Sequence, residues 1–168
     1  MEVTTAMIKD LREQTGAGIM DCKRALEEAD GDLKRAEEFL RQKGIASAAG
    51  KAGRETRQGL VESYIHTGGR VGALVEVDCE TDFVARTSDI KDLAHELAMQ
   101  VAAMPSTAYV DRSEADDDES RPLEEVCLLE QSYIRDPSRT VQELVVEVAA
   151  KVGENVKVKR FARFALGE

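Results

Sequence analysis

The sequence predicts an α+β fold in two parts: a small helical module, then a core of a three-stranded antiparallel sheet packed with helices. Apolar residues recur at three- and four-residue spacing through the first 44 residues and in later stretches, which is helical periodicity. Val71 to Cys79 and Val156 to Leu166 alternate instead, as strands with one buried face do. Between two runs rich in β-formers, Thr67-Gly68-Gly69-Arg70 reads as a hairpin turn.

Residues 1–44 read as three short helices. Thr4 or Thr5 caps the first, which carries Met7, Ile8 and Leu11 on one face and breaks at Thr15-Gly16-Ala17-Gly18. The second carries Ile19, Cys22, Leu26 and Ala29 and ends at Asp30-Gly31, where glycine suits a left-handed turn. Asp32 caps the third, with Leu33, Ala36, Phe39 and Leu40 inward before Lys43-Gly44. Such a module makes only a marginal core, and the exposed turn from Thr15 to Met20 is its candidate functional patch. Residues 45–58, rich in Ala and Gly with Lys51, Arg54 and Arg57, read as a partly helical linker. Gly44 to Gly50-Lys51 resembles a phosphate-binding loop but is one residue too long, and Ala52 stands where Ser or Thr is required. This chain is therefore expected to bind no nucleotide itself.

Residues 59–168 form the core domain. After the hairpin, Thr87 or Ser88 opens a helix with an unbroken stripe of Ile90, Leu93, Ala94, Leu97, Ala98 and Val101. Leu123 to Tyr133 looks helical, broken by Asp136-Pro137. Thr140-Val141-Gln142-Glu143 is a capping box for a helix that stops at Gly153. The last strand has Val156, Val158, Ala162, Phe164 and Leu166 on one face and Phe161 on the other. An apolar residue on the outer face of a terminal strand suits contact with another subunit, and a bulge would explain the phase equally.

Composition limits the function. Asp and Glu number 33 against 23 Lys and Arg, a net charge of −10, which repels nucleic acid and anionic membranes. No run approaches the roughly 20 apolar residues of a membrane span, and Met1 to Thr5 resembles no targeting peptide, so a cytoplasmic setting is expected. The three cysteines, Cys22, Cys79 and Cys127, form no CxxC pair and stand apart from His66 and His95, so buried thiols are expected and no metal or cofactor site. The acidic segment Asp111 to Glu119 lacks the alternation and glycine of a calcium loop and reads as solvated.

The chemistry concentrates in Glu76-Val77-Asp78-Cys79-Glu80-Thr81-Asp82-Phe83-Val84. A strand ends here on a large ring beside a carboxylate, where a turn would normally bring small polar residues. Spacing allows Phe83 to pack beneath the following helix, whereas the combination suits insertion into a partner. The opening Thr15-Gly16-Ala17-Gly18-Ile19-Met20-Asp21-Cys22-Lys23-Arg24-Ala25-Leu26, the stretch Cys79-Glu80-Thr81-Asp82-Phe83-Val84-Ala85-Arg86, and Lys151-Val152-Gly153-Glu154-Asn155-Val156-Lys157-Val158 together resemble translation elongation factor Ts. The resemblance covers nearly the whole chain; the acidic segment lies outside it. It implies a guanine nucleotide exchange factor, not an enzyme of covalent chemistry, that binds the GDP form of elongation factor Tu. It further implies that Arg12, Ile19 and Met20 meet the GTPase and that Thr81, Asp82, Phe83 and Val84 disturb its magnesium site. The single set of core elements resembles the short members of that family and implies a homodimer.

Two other readings stand beside it. The first 44 residues also resemble a ubiquitin-associated-like three-helix bundle, a fold that hosts varied adaptors. Asp78, Glu80 and Asp82 lie at alternate positions and could serve as paired carboxylates, although no His, Lys or Tyr is sequence-adjacent to them.

Overall fold

The computed structural model describes residues 3–168, and the chain divides into two compact units, one ending at Ala52 and one running Gly53–Glu168. In the first, α1 (Thr5–Thr15), α2 (Ile19–Glu28) and α3 (Leu33–Lys51) close around Leu11, Cys22, Ala25, Leu26 and Ala36. The Thr4 hydroxyl caps α1 by accepting from the Met7 amide, and the Asp32 carboxylate caps α3 by accepting from Arg35. Gly31, at φ 82°, closes α2 with its N–H donating to Leu26 O at 2.8 Å.

Two expectations change in this unit. The third helix does not end at Gly44: the alanines of Ile45-Ala46-Ser47-Ala48-Ala49 are strong helix formers and carry it to Lys51. The near-miss phosphate loop is thus helical. Phe39 is 42% exposed rather than inward, because Leu33, Ala36 and Leu40 already fill the inner side of α3.

The second unit runs β1 (Gln58–Ile65), β2 (Val71–Cys79), α4 (Asp82–Ala85), α5 (Ser88–Ala103), α6 (Leu123–Val126), a 3-10 turn at Leu128–Glu130, β3 (Ser132–Tyr133), β4 (Asp136–Thr140), α7 (Val141–Val152) and β5 (Val156–Ala165). β1, β2 and β5 form an antiparallel sheet in that order. Ala73, Val75, Val77 and Cys79 are buried on its inner face, and the expected stripe of α5 from Ile90 to Val101 is buried too. α7 opens on the expected capping box: Thr140 N–H donates to Glu143 Oε2 at 2.8 Å, and Glu143 N–H donates to Thr140 Oγ1 at 3.2 Å. Gly153, at φ 73°, ends it.

The stretch Leu123 to Tyr133 is not one helix. Its backbone is claimed by a neighbouring segment: Ala108 and Tyr109 donate to Val126 O, while Leu128 and Leu129 donate to Tyr109 O and Val110 O. Those bonds cannot coexist with a continuous helical ladder, so α6 is a single turn. Gln131 is then buried, donating to Thr107 Oγ1 at 2.7 Å and accepting from Gln100. Asp136-Pro137 opens the edge strand β4 of a small hairpin rather than a plain break, a position where a missing N–H is tolerated.

In β5, Glu76 pairs with Arg160 and Val77 with Val158, so Lys159 is an extra residue in a bulge. The bulge reverses the phase. Phe161 points to the inner side opposite Val75, while Ala162, Phe164 and the following Leu166 are exposed on the outer face.

Candidate functional site

β2 ends at Cys79, and residues 80 and 81 lead directly into α4. Thr81 caps that helix, its hydroxyl accepting from Val84 N–H at 3.3 Å, and Cys79 Sγ donates to Thr81 O at 3.2 Å. In a single helical turn, burying two adjacent residues turns the other two outward. Val84 and Ala85 are buried; Phe83 is 78% exposed. Asp82 is exposed and paired with Arg86 at 2.7 Å, one turn along.

A second layer holds this turn from below. Glu154 Oε2 accepts from the amides of Glu80 and Thr81, each at 3.0 Å, and Glu154 Oε1 accepts from the Thr81 hydroxyl at 2.6 Å. The Glu80 carboxylate accepts from Asn155 N–H at 2.7 Å and lies 3.6 Å from Arg54, whose carbonyl takes the Asn155 side-chain amide at 2.7 Å.

In the helical unit, Arg12 is exposed in the last turn of α1, and Ile19 and Met20, 57% and 64% exposed, start α2. The turn between them is stapled. Gly16, at φ 68°, donates to Arg12 O at 2.8 Å, Thr15 Oγ1 donates to Leu11 O at 2.7 Å, and Ala17 N–H returns to Thr15 Oγ1 at 3.3 Å. Ile19, counted with the inner positions of its helix by spacing, belongs to the surface.

The carboxylates of the enzyme reading do not act together. Glu80 is bound to Asn155 and Arg54, Asp82 to Arg86, and Asp78 lies on the outer face of the sheet, paired in register with Lys157. Burial, followed by the charge of Glu76, pushes the Asp78 carboxyl up. Cys22, Cys79 and Cys127 are free and buried, and burial raises the thiols of Cys79 and Cys127. Among the described residues no group of three or more His, Cys, Asp or Glu could hold a metal ion, and no helix is long and apolar enough to cross a membrane.

A sequence profile of the family Elongation factor TS matches residues 49–121 and 119–168. Elongation factor Ts of Synechococcus elongatus (strain ATCC 33912 / PCC 7942 / FACHB-805) is 50% identical over 197 aligned positions, covering 99% of this chain and 89% of that protein. The factors of Rippkaea orientalis (strain PCC 8801 / RF-1) and Carboxydothermus hydrogenoformans (strain ATCC BAA-161 / DSM 6008 / Z-2901) are each 48% identical, again over 99% of this chain and over 79% and 90% of their own lengths. This chain belongs to the elongation factor Ts family. Membership makes it a translation elongation factor. The two profile matches overlap at residues 119–121, at the end of the acidic segment.

Two features of this family member escaped sequence reasoning. One is the Glu154 contact, which joins residues far apart in the chain. The other is an apolar patch on the outer face of the sheet, where Val61, Ile65, Leu74, Phe164 and Leu166 are all exposed. Several of these residues line a shallow groove of about 470 Å³. The signal for the patch was the alternation in β5, and the bulge at Lys159 disguised its phase.

Proposed function

We propose that this chain is a guanine nucleotide exchange factor for elongation factor Tu, acting in the cytoplasm. The observation that carries the reading is Phe83, an aromatic ring left 78% in water on a turn that is capped and braced from below. An exposed ring on a rigid mount is in position to enter a partner without first paying for loop ordering. GDP is held in such GTPases largely through its phosphates and a magnesium ion, so displacing the ion's surroundings weakens the complex with no covalent step. In this scheme Phe83 shifts the elements around the metal, Asp82 competes for its surroundings once freed from Arg86, and Thr81 and Val84 hold the turn. Arg12, Ile19 and Met20 dock the helical unit on the GTPase. The helical unit, through Ala52, thus serves recognition, and the unit Gly53–Glu168 carries exchange and pairing. Reciprocity requires GDP or GTP to weaken factor binding by the same coupling free energy, which lets nucleotide drive the factor off.

The same reading includes a homodimer through the outer face of the sheet. In register, Ile65, Gly72 and Phe164 form one cross-strand row, Ser63, Leu74 and Ala162 the next, and Val61, Glu76 and Arg160 the third. Apolar residues gather at one end, and Glu76 pairs with Arg160 at 2.6 Å toward the other. A two-fold axis through the apolar end lays the patch on its own copy, the arrangement a self-complementary interface requires.

The test is release of fluorescent GDP from purified elongation factor Tu at substoichiometric concentrations of this chain. Accelerated multiple-turnover release supports exchange. Tight binding without acceleration supports an adaptor instead, and absence of binding removes both.

A further inference from the structure

The geometry points to Glu154 as the positioning residue of the proposed exchange turn, an inference that rests on the exchange reading. Cys79 is the last residue of β2 in either ladder, pairing with Gln58 on one side and Val156 on the other. The amides of Glu80 and Thr81 therefore lie beyond the sheet and need acceptors from elsewhere. Glu154, two residues before Val156, takes both at 3.0 Å. Glu80 returns the contact by accepting from Asn155 N–H at 2.7 Å. In effect two carboxylates continue the β2–β5 ladder past its end.

The Thr81 hydroxyl transmits this geometry to the ring. It donates its single proton to Glu154 Oε1 at 2.6 Å, which leaves a lone pair to accept from Val84 N–H and so cap α4. Glu154 thus fixes the direction of the cap, the cap fixes the axis of a one-turn helix, and that axis fixes where Phe83 projects. A helix this short has no ladder of its own with which to hold direction, so its pose comes from these contacts. The hydrophobic core contributes separately, through the buried Val84 and Ala85.

The experiment measures fluorescent GDP release from elongation factor Tu as a function of factor concentration, for wild type, Glu154→Ala, Glu154→Gln, Phe83→Ala and the double variant Phe83→Ala/Glu154→Ala. For Glu154→Ala the maximal rate is expected to fall about tenfold while the half-saturating concentration moves less than about threefold, because charge-assisted bonds to the turn are lost and docking through Arg12, Ile19 and Met20 is kept. Gln restores most of the rate, since its oxygen accepts from the two amides and its NH2 donates to the Thr81 hydroxyl. The double variant releases GDP more slowly than Phe83→Ala alone by much less than the factor Glu154→Ala costs the wild type, because the ring is gone and only Asp82 is left on the turn to misdirect. A Glu154→Ala rate equal to wild type, or losses that multiply in the double variant, overturns the positioning role while exchange stands. A wild-type chain that leaves release at its intrinsic rate overturns the exchange reading and this role together. Should Glu154→Ala fail to fold by circular dichroism, Thr81→Val, which deletes one of the three bonds to Glu154 together with the cap on Val84 N–H, takes its place in the same cycle, with Thr81→Ser as the rescue.

Discussion

Replacing Phe83 by Ala separates a ring that works on a partner from a ring that holds its own protein together. Burying a phenylalanine fully contributes about 3 kcal/mol at most from area removed from water. With Phe83 78% exposed, only about a fifth of that is at stake, roughly 0.5 kcal/mol. Alanine is the better helix former and returns a few tenths of a kcal/mol in α4. The net change is close to zero, a shift of less than about 2 °C for a chain of this size. Inserted into a partner, the same ring becomes a desolvated anchor, and truncating such an anchor typically costs 2 kcal/mol or more, about 30-fold in rate or affinity. Scanning calorimetry and GDP release on one preparation read both quantities. A melting temperature lowered by 8 °C or more with a proportionate loss of activity refutes the reasoning, because it makes Phe83 a structural residue. Wild-type release from a stable variant refutes it as well, by making the ring idle.

Phe164→Asp places a charge in the middle of the outer apolar patch, where Phe164 is 74% exposed, so sedimentation should show a monomer with an unchanged far-ultraviolet spectrum, while wild type sediments as a dimer at the same concentration. Gly59→Ala should lower the melting temperature by 5 °C or more, because the added Cβ would lie 2.2 Å from Val77 O and 2.8 Å from Asp78 Cα, both backbone atoms that cannot step aside. Asp78→Asn tests a pH dependence: burial and then Glu76 raise this carboxyl, so the folded chain holds the proton more tightly than the unfolded chain does. Stability therefore falls as pH rises from the unfolded value of about 3.9 through the folded one. Asn removes that decline, so its advantage in melting temperature should be smallest at acid pH and grow as pH rises above the unfolded value; an advantage that does not change with pH refutes the assignment.

Where one physical pattern decides an element, the sequence disclosed it. The α5 stripe from Ile90 to Val101 faces a single core, the Thr140 and Glu143 box is a local reciprocal bond, and Gly31 and Gly153 stand where only a left-handed residue closes a helix. Elements decided by distant partners were hidden. Leu123 to Tyr133 has helical spacing, but Tyr109 and its neighbours take its backbone bonds, and no local pattern reports that competition. Phase in β5 turned on the single extra residue Lys159. In the candidate site, residue types marked the turn, yet four residues carry no periodicity from which to read that Phe83 faces outward while Val84 faces inward. Glu154 and Asn155 stand in a stretch that carries the family resemblance, yet their contacts with residues 80 and 81 left no local pattern, because they span more than 70 residues.

Separate cores mean separate melting events. In the helical unit Leu11 and Leu26 are the large side chains fully buried, with Met7, Ile8, Leu33 and Leu40 only partly buried around them, whereas the other unit fully buries Val75, Val77, Ile90, Leu97, Leu128 and Val141. Warming should therefore dissolve the smaller body first, in a shallow early transition ahead of the main one. Between the two transitions the molecule keeps its ring and loses its grip, so a warmed sample would still expel GDP, but only when supplied in excess.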